Sequence, residues 1–160
     1  MNTASMAVRT PDLAARPFRL TVEKTFAVPA ATLYRAWTTG FDRWFAAPGS
    51  LLMQPHVNAP FFFETEFKPE GKPVAQRHPH YGRFLRLEVD RLIELTWVTG
   101  AGGTEGAETV VTVVLEPKSS SSTHLALTHA GFADEAACSR HRQAWPMVLA
   151  QLDSRITAHP

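Results

Sequence analysis

Six short runs of β-branched and aromatic residues occupy the middle of the chain, and turn-forming residues separate each run from the next. The connections are short enough for hairpin links. Strands joined in this way pair antiparallel, so the pattern predicts an antiparallel meander. The predicted strands are Leu51–His56, Phe61–Phe67, Tyr81–Val89, Leu92–Val98, Thr109–Glu116 and Thr123–His129.

A further strand and two short helical segments precede the meander. Residues 18–28 alternate between apolar and polar side chains, which is typical of a half-buried strand. Pro29 ends this strand, and residues 30–37 carry apolar side chains at helical spacing, which predicts a short helix. Gly40 then ends this helix. The aromatic cluster of residues 41–45 follows and is long enough for one helical turn.

A long amphipathic helix is predicted at the C-terminal end. Asp134 is suited to cap its first turn, and Glu135 favours the positive end of a helix. Pro146 lies inside the predicted helix and removes one backbone hydrogen bond, so we expect a kink or a restart there. The apolar stripe that defines the helix comprises Cys138, His141, Trp145, Val148, Leu149, Leu152 and Ile156.

The order of these elements predicts an α+β domain. In it, a curved antiparallel sheet of about six to seven strands wraps around the long C-terminal helix, and two short helices follow the first strand. The 160 residues are enough for one self-sufficient core. We expect a single domain over residues 18–157 and a flexible tail over residues 1–17.

Composition and charge exclude several classes of partner. Sixteen basic and fifteen acidic residues give a net charge of +1, which argues against nucleic acid, because its binding depends on clustered positive charge. No run approaches the ~20 apolar residues of a membrane helix, so no integral membrane contact is expected. Cys138 is the single cysteine, which rules out an intrachain disulfide and favours a reducing, cytoplasmic location.

Known catalytic and metal-binding patterns are missing from the sequence. It has no Gly-rich phosphate loop, no nucleophile elbow and no cluster of Cys and His. The one close histidine pair, His78 and His80, brackets Pro79 and is expected in an exposed loop. The sequence therefore predicts no metal and no cofactor, assigns no catalytic residue, and favours binding over catalysis.

The apolar faces of the predicted strands lie on one concave side of the sheet, where they either fill a core or line a ligand-sized void. The residues alone leave these two alternatives open. The register around Arg83 is also open, because either Tyr81, Arg83 and Leu85 or Gly82 and Phe84 can form the inner face. His129 closes the last strand on the inner face, either as a structural histidine or as a polar group at the mouth of a cavity. The inward set is Phe61, Phe63, Phe67, Ile93, Leu95, Trp97, Val111, Val113, Leu115, Leu125 and Leu127.

Four segments resemble a known family when they are taken together. They are Tyr81-Gly82-Arg83-Phe84, residues 90–97 ending in Thr96-Trp97, residues 123–132 ending in Gly131-Phe132, and Ala144-Trp145 with Leu149 and Leu152. In this combination the chain resembles the activator of heat-shock protein 90 ATPase homologue-like family, within the START-like (SRPBCC, helix-grip) superfamily. The resemblance covers residues 18–157. The chain departs from it at Ala144, where glycine is usual, at Pro146, and at Arg86, where the family often has an acid.

The resemblance implies a small soluble binding protein with an apolar cavity between the sheet and the C-terminal helix. The implied ligand is an apolar or aromatic small molecule, lipid-like or polyketide-like. A cyclase or hydratase-like enzyme using the same cavity is one alternative, and a chaperone co-regulator with a protein partner is the other. The oligomeric state is not predicted. The candidate ligand-binding residues are Trp37, Phe41, Trp44, Phe63, Trp97, Val113, Leu127, His129, Trp145 and Leu149.

Overall fold

The computed structural model describes residues 8–67 and 70–158, and a six-stranded antiparallel sheet forms most of it. The strands are β1 (Phe18–Phe26), β2 (Pro60–Phe67), β3 (Gln76–Glu88), β4 (Leu92–Trp97), β5 (Thr109–Ser119) and β6 (Ser122–Phe132). The helices are α1 (Ala30–Ala36), a 3₁₀ turn (Phe41–Arg43) and α2 (Glu135–Ala158). In space the strands follow the order β1-β6-β5-β4-β3-β2.

The predicted helix-grip architecture is confirmed, because the curved sheet and the long C-terminal helix enclose one core. Alternate residues of the central strands are fully buried, as in Ile93 and Leu95 of β4 or Leu125 and Leu127 of β6. Helix α2 packs against β1 and β6. Phe67 is the exception in the predicted inward set, since it is 57% exposed at the end of the edge strand β2.

The prediction of a strand over residues 51–56 is wrong. One isolated bridge joins Leu52 to Phe62 of β2, with backbone hydrogen bonds in both directions. Pro55 has no N–H to extend this pairing, and the His56 amide turns back to the Gln54 carbonyl. This segment therefore lies along the edge of the sheet without forming a seventh strand.

The prediction of a loop around His78 and His80 is also wrong, because β3 begins at Gln76 and includes both histidines. Residue Pro79 pairs with Glu64 of β2, whereas β4 pairs with β3 only over residues 84–88. This half of β3 is thus an edge on the side away from β2. Pro79 lacks an N–H, and on that side no neighbouring strand needs one for a ladder hydrogen bond.

A β-bulge between Phe84 and Arg86 resolves the register that the sequence left open. Phe84 is fully buried in the core, and the extra residue of the bulge shifts the alternation so that Leu87, three residues later, also packs against the core. Arg83 instead faces outward, where its guanidinium donates to Asn58 Oδ1 at 3.3 Å. Gly82 allows close strand contact, since a Cβ there would lie 2.2 Å from the Thr96 carbonyl oxygen.

Helix α2 begins as predicted, with Asp134 Oδ1 accepting a hydrogen bond from the Ala137 amide at 2.8 Å. The predicted restart at Pro146 does not occur, because the helix runs unbroken through that residue. Pro146 is exposed, so the backbone carbonyl that loses its bond lies on the water-facing side of the helix. No helix among the described residues is both long and apolar enough to cross a bilayer.

Part of the predicted N-terminal tail lies against the domain. The first seven residues lie outside the described residues, and residues 8–17 form neither helix nor strand. The Arg16 guanidinium donates to the carbonyls of Gly131 and Glu108, both at 2.8 Å. The flexibility of residues 1–17 and the domain boundary at residue 18 stay predictions.

Candidate ligand-binding cleft

A cleft of about 630 Å³ opens between α2 and the β2–β3 end of the sheet. Helix α2 contributes one face, because His141, Trp145 and Val148 are spaced by three or four residues, with Ala144 beside them. The rest of the wall comes from Phe45, the ends of β2 and β3, Trp97 of β4 and the loop over residues 99–103. The helix, the sheet and the irregular segments therefore meet at this cleft.

His80 lies at the centre of an aromatic cluster in the wall. Its ring stacks on Phe63 at a centroid distance of 4.9 Å. It also contacts Phe45 at 5.6 Å and Trp97 at 5.2 Å, both edge to face. Burial lowers the pKa of His80 from 6.5 to about 4, so the ring is neutral at neutral pH.

The hydrogen bond of His80 fixes its tautomer. Nδ1 lies 3.0 Å from the His78 carbonyl oxygen, and since a carbonyl only accepts, Nδ1 carries the proton. Nε2 of the neutral ring is then an acceptor. No hydrogen bond joins Nε2 to any residue that the structure describes, which leaves this acceptor available in the cleft wall.

His141 repeats this arrangement on the opposite wall. Its Nδ1 donates to the Ala137 carbonyl at 2.7 Å, which leaves Nε2 as the acceptor in the neutral ring. Burial lowers the pKa of His141 as well, and the nearby Arg140 cation lowers it further. The cleft thus has two neutral histidines, one from the sheet and one from the helix, each with an acceptor nitrogen.

His129 is buried and has partners on both ring nitrogens. The Trp145 indole N–H can only donate, and it lies 3.0 Å from His129 Nδ1, so the proton of the neutral ring is on Nε2. Nε2 donates to the Thr109 hydroxyl at 2.7 Å, and that hydroxyl donates to the Trp97 carbonyl. Burial holds the pKa of His129 well below its usual value. Of the two roles considered for His129, the structure supports the structural one.

The loop over residues 99–106 forms the lip of the cleft and is held at two points. Thr99 and Thr104 bond reciprocally, each amide donating to the other hydroxyl at 2.9 and 2.8 Å. Arg140 of α2 donates to the carbonyls of Gly102 and Gly103 and pairs with Glu105 at 3.1 Å. These contacts fix the lip relative to the helix face that it opposes.

The described wall of the cleft contains no Asp, Glu, Lys or Arg. With His80 and His141 neutral, it presents aromatic and aliphatic surface, threonine hydroxyls and the acceptor nitrogens of these two rings. Burying a charged ligand against such a wall would leave that charge without a partner, which is costly. Within residues 8–67 and 70–158, no group of three potential metal ligands comes together.

Two of the ten predicted ligand residues, Trp97 and Trp145, line this cleft. Trp44 lines a different groove, and the other seven are buried beneath the cleft or deeper in the core. Those seven are Trp37, Phe41, Phe63, Val113, Leu127, His129 and Leu149.

Sequence reasoning missed several residues of the wall. His141 precedes Trp145 by four residues on the same stripe, a spacing that places both on one helix face. His80 shares the inner face of β3 with Gly82 and Phe84, a signal that becomes readable once β3 is known to start before residue 81. Phe45 and the lip have no comparable sequence signal, because both lie in irregular segments.

The curved sheet gripping a long helix, with a cleft between them, places this chain in the START-like, helix-grip class. The family model for Activator of Hsp90 ATPase homolog 1-like protein matches residues 27–157, and the chain belongs to this family. The family predicted from the sequence is therefore confirmed. No curated protein matches the sequence significantly.

Solved structures share the fold at low sequence identity. The AHSA1 protein SPO3351 from Silicibacter pomeroyi has a TM-score of 0.70 at 20% identity, covering 89% of this chain and 99% of its own. Protein CV1439 from Chromobacterium violaceum has a TM-score of 0.69 at 21% identity, covering 86% and 96%. The Aha1 dimer from Colwellia psychrerythraea has a TM-score of 0.57 at 14% identity, covering 84% and 92%.

Proposed function

We propose that the protein binds a neutral aromatic or apolar small molecule in the cleft between α2 and the sheet. The observation that carries the proposal is an aromatic-lined cleft of about 630 Å³ whose described wall contains no Asp, Glu, Lys or Arg. Its volume is within the ~300–1,000 Å³ usual for small-molecule sites. The ligand is expected to lie against Trp97 and Trp145, while the buried predicted residues, such as Phe63 and Leu149, support the wall from behind.

The two histidines narrow the class of ligand. His80 and His141 each offer an acceptor nitrogen, so a ligand that donates hydrogen bonds fits better than one that only accepts. A hydroxylated aromatic, of the kind found in polyketide-like molecules, meets this condition and remains neutral. A fatty acid carboxylate does not, because the described wall supplies no cation to pair with it.

A blocked cleft provides the test. Ala144 is exposed in the wall, so Ala144→Trp adds a large side chain to the cleft without removing a core contact. Ala150→Trp is the matched control, because Ala150 is exposed on the same helix outside the wall. Titration with Nile red, a neutral fluorescent dye, is expected to show saturable binding by the wild type and the Ala150→Trp variant, with at least a tenfold loss in Ala144→Trp. Equal binding by all three proteins, or none by the wild type, would refute the proposal.

A second arm of this experiment tests the hydrogen bond. The wild type is expected to bind 2-naphthol more tightly than 2-methoxynaphthalene, by roughly fivefold or more, because only the naphthol donates to a histidine. His80→Phe keeps the ring packing and removes the acceptor, so it is expected to reduce this preference. An unchanged preference in both His80→Phe and the corresponding His141→Phe variant contradicts the assigned ligand class.

Catalysis is the second candidate, and one observation favours it. His80 and His141 are neutral at neutral pH and line the same cleft, which makes each a base within reach of a bound hydroxyl or an acidic C–H. No carboxylic acid stands opposite them in the described wall, so binding without turnover is the simpler assignment. A product that forms with the wild type and is lost in His80→Phe would establish an enzyme.

The family name links this fold to a chaperone ATPase, and a protein partner remains the third candidate for this chain. We also propose a cytoplasmic location, since the free Cys138 thiol is buried and has no cysteine to pair with.

A further inference from the structure

A second groove, of about 640 Å³, lies between α1, the 3₁₀ turn and the last turn of α2. Three arginines line it, one from each element: Arg35 from α1, Arg43 from the 3₁₀ turn and Arg155 from α2. None of the described lining residues is acidic. Trp44 and Ile156, both mostly buried, contribute apolar surface to the same wall.

The three guanidinium groups have no partner within the described part of the chain. No ion pair or side-chain hydrogen bond joins Arg35, Arg43 or Arg155 to any described residue. This differs from Arg77 and Arg140, which both pair with a glutamate. Within the described residues, each guanidinium therefore keeps all five N–H donors free beside the same groove.

The carbonyl groups at the end of α1 do not account for Arg35. Cations are common in the last turn of a helix because they complement its unpaired carbonyls. Here the carbonyls of residues 34–36 accept from the Thr38 hydroxyl at 2.8 Å, the Gly40 amide at 2.8 Å and the Trp44 indole at 2.7 Å. The helix end is thus already satisfied by other donors.

We propose that this groove binds the phosphate of an organic phosphate monoester. A phosphate monoester has close to two negative charges and three strong acceptor oxygens, which match several guanidinium forks better than one carboxylate does. The hydroxyls of Thr32 and Thr39 in the same wall are further donors. The organic part of the ligand lies against Trp44 and Ile156, which inorganic phosphate cannot use.

This site is separate from the neutral cleft and does not depend on the proposed function. Three unpaired cations at one groove repel each other, and a bound dianion removes that repulsion. Binding to the folded state also raises the free energy of unfolding, so the ligand is expected to raise the melting temperature. Because the guanidiniums are exposed, added salt is expected to weaken binding.

Phenyl phosphate is the probe, measured by calorimetric titration of the full chain at low salt. We expect saturable binding that is weakened about fivefold or more in each of Arg35→Gln, Arg43→Gln and Arg155→Gln. Arg86→Gln is the matched control, because it removes an exposed arginine beside Glu88 on β3, outside the groove, and it is expected to bind as the wild type does. The four arginines are exposed, so far-UV circular dichroism is expected to show folded variants.

Three comparisons decide the outcome. Inorganic phosphate and benzyl alcohol are expected to bind more weakly than phenyl phosphate, because each lacks one half of the proposed ligand. Vesicles of phosphatidylcholine with and without phosphatidic acid identify the source: arginine-dependent sedimentation assigns a lipid headgroup, and its absence assigns a soluble phosphate. No saturable binding of phenyl phosphate, equal binding of inorganic phosphate, or an equal loss in Arg86→Gln overturns the proposal.

Discussion

Replacement of Trp145 by alanine tests how the fold and the cleft depend on one side chain. The ring is only 3% exposed and lies 6.1 Å from the Trp37 ring and 5.7 Å from the Trp97 ring. Truncating a buried aromatic side chain costs about 3–5 kcal/mol. The change also leaves His129 Nδ1 without its donor, so we expect a loss in the upper half of that range.

Trp145→Phe separates the two contributions. It keeps most of the ring packing but removes the indole N–H. Its free energy of unfolding is therefore expected to lie between those of the wild type and the alanine variant, about 1–3 kcal/mol below the wild type. Met147→Ala is the control on the same helix, because Met147 is 74% exposed and should change stability by less than about 0.5 kcal/mol.

Urea unfolding followed by far-UV circular dichroism measures these changes without relying on tryptophan fluorescence. With a slope of about 1–3 kcal/mol per molar urea, the midpoint of Trp145→Ala is expected to fall by about 1–5 M. A loss below about 1 kcal/mol would refute the placement of the ring between α2 and the sheet.

Two further changes have expected outcomes. Acid should destabilise the fold: the folded-state pKa of His80 is about 4 and that of His129 is also lowered, so below pH 6.5 the unfolded chain binds protons that the folded chain does not. His80 alone contributes about 2 kcal/mol of lost stability between pH 7.5 and 5, and a melting temperature that does not fall over this range contradicts its neutral, buried state. Gly82→Ala should cost about 1–3 kcal/mol by overpacking against the β4 backbone, whereas Gly100→Ala, with no atom within 4 Å of the new Cβ, should cost far less. Similar unfolding midpoints for the two alanine variants would show that β3 and β4 are not as close there as described.

The central strands of the sheet could be predicted because each has one buried face. In β4 and β6, alternate residues such as Ile93 and Leu125 are apolar, and the period of two is visible in the sequence. Residues 51–56 show similar apolar content, yet they pair at a single position, since sequence pattern does not report whether a partner strand is available.

The register of β3 could not be predicted, because a bulge breaks the period of two. Phe84 and Leu87 are three residues apart and both pack on the core, which an uninterrupted strand with a period of two does not allow. Pro79 concealed the first half of the same strand, since proline usually marks a strand end or a loop.

The candidate sites could be predicted only in part, because only some of their residues lie in segments with a clear period. Trp97 and Trp145 belong to segments with a clear period, so their inward positions followed from the sequence. Arg35, Arg43 and Arg155 come from distant parts of the chain, and a net charge of +1 conceals the local excess of positive charge that folding creates around one groove.

The most direct test of the central claim is an NMR measurement of the protein saturated with 2-naphthol. Intermolecular nuclear Overhauser effects report which side chains lie next to the ligand. Binding in the cleft predicts contacts from the naphthol ring to His80, Trp97 and Trp145, the rings that line its sheet and helix walls. Contacts confined to other surfaces, or a ligand that shows none at saturation, would contradict the assignment of this cleft as the binding site.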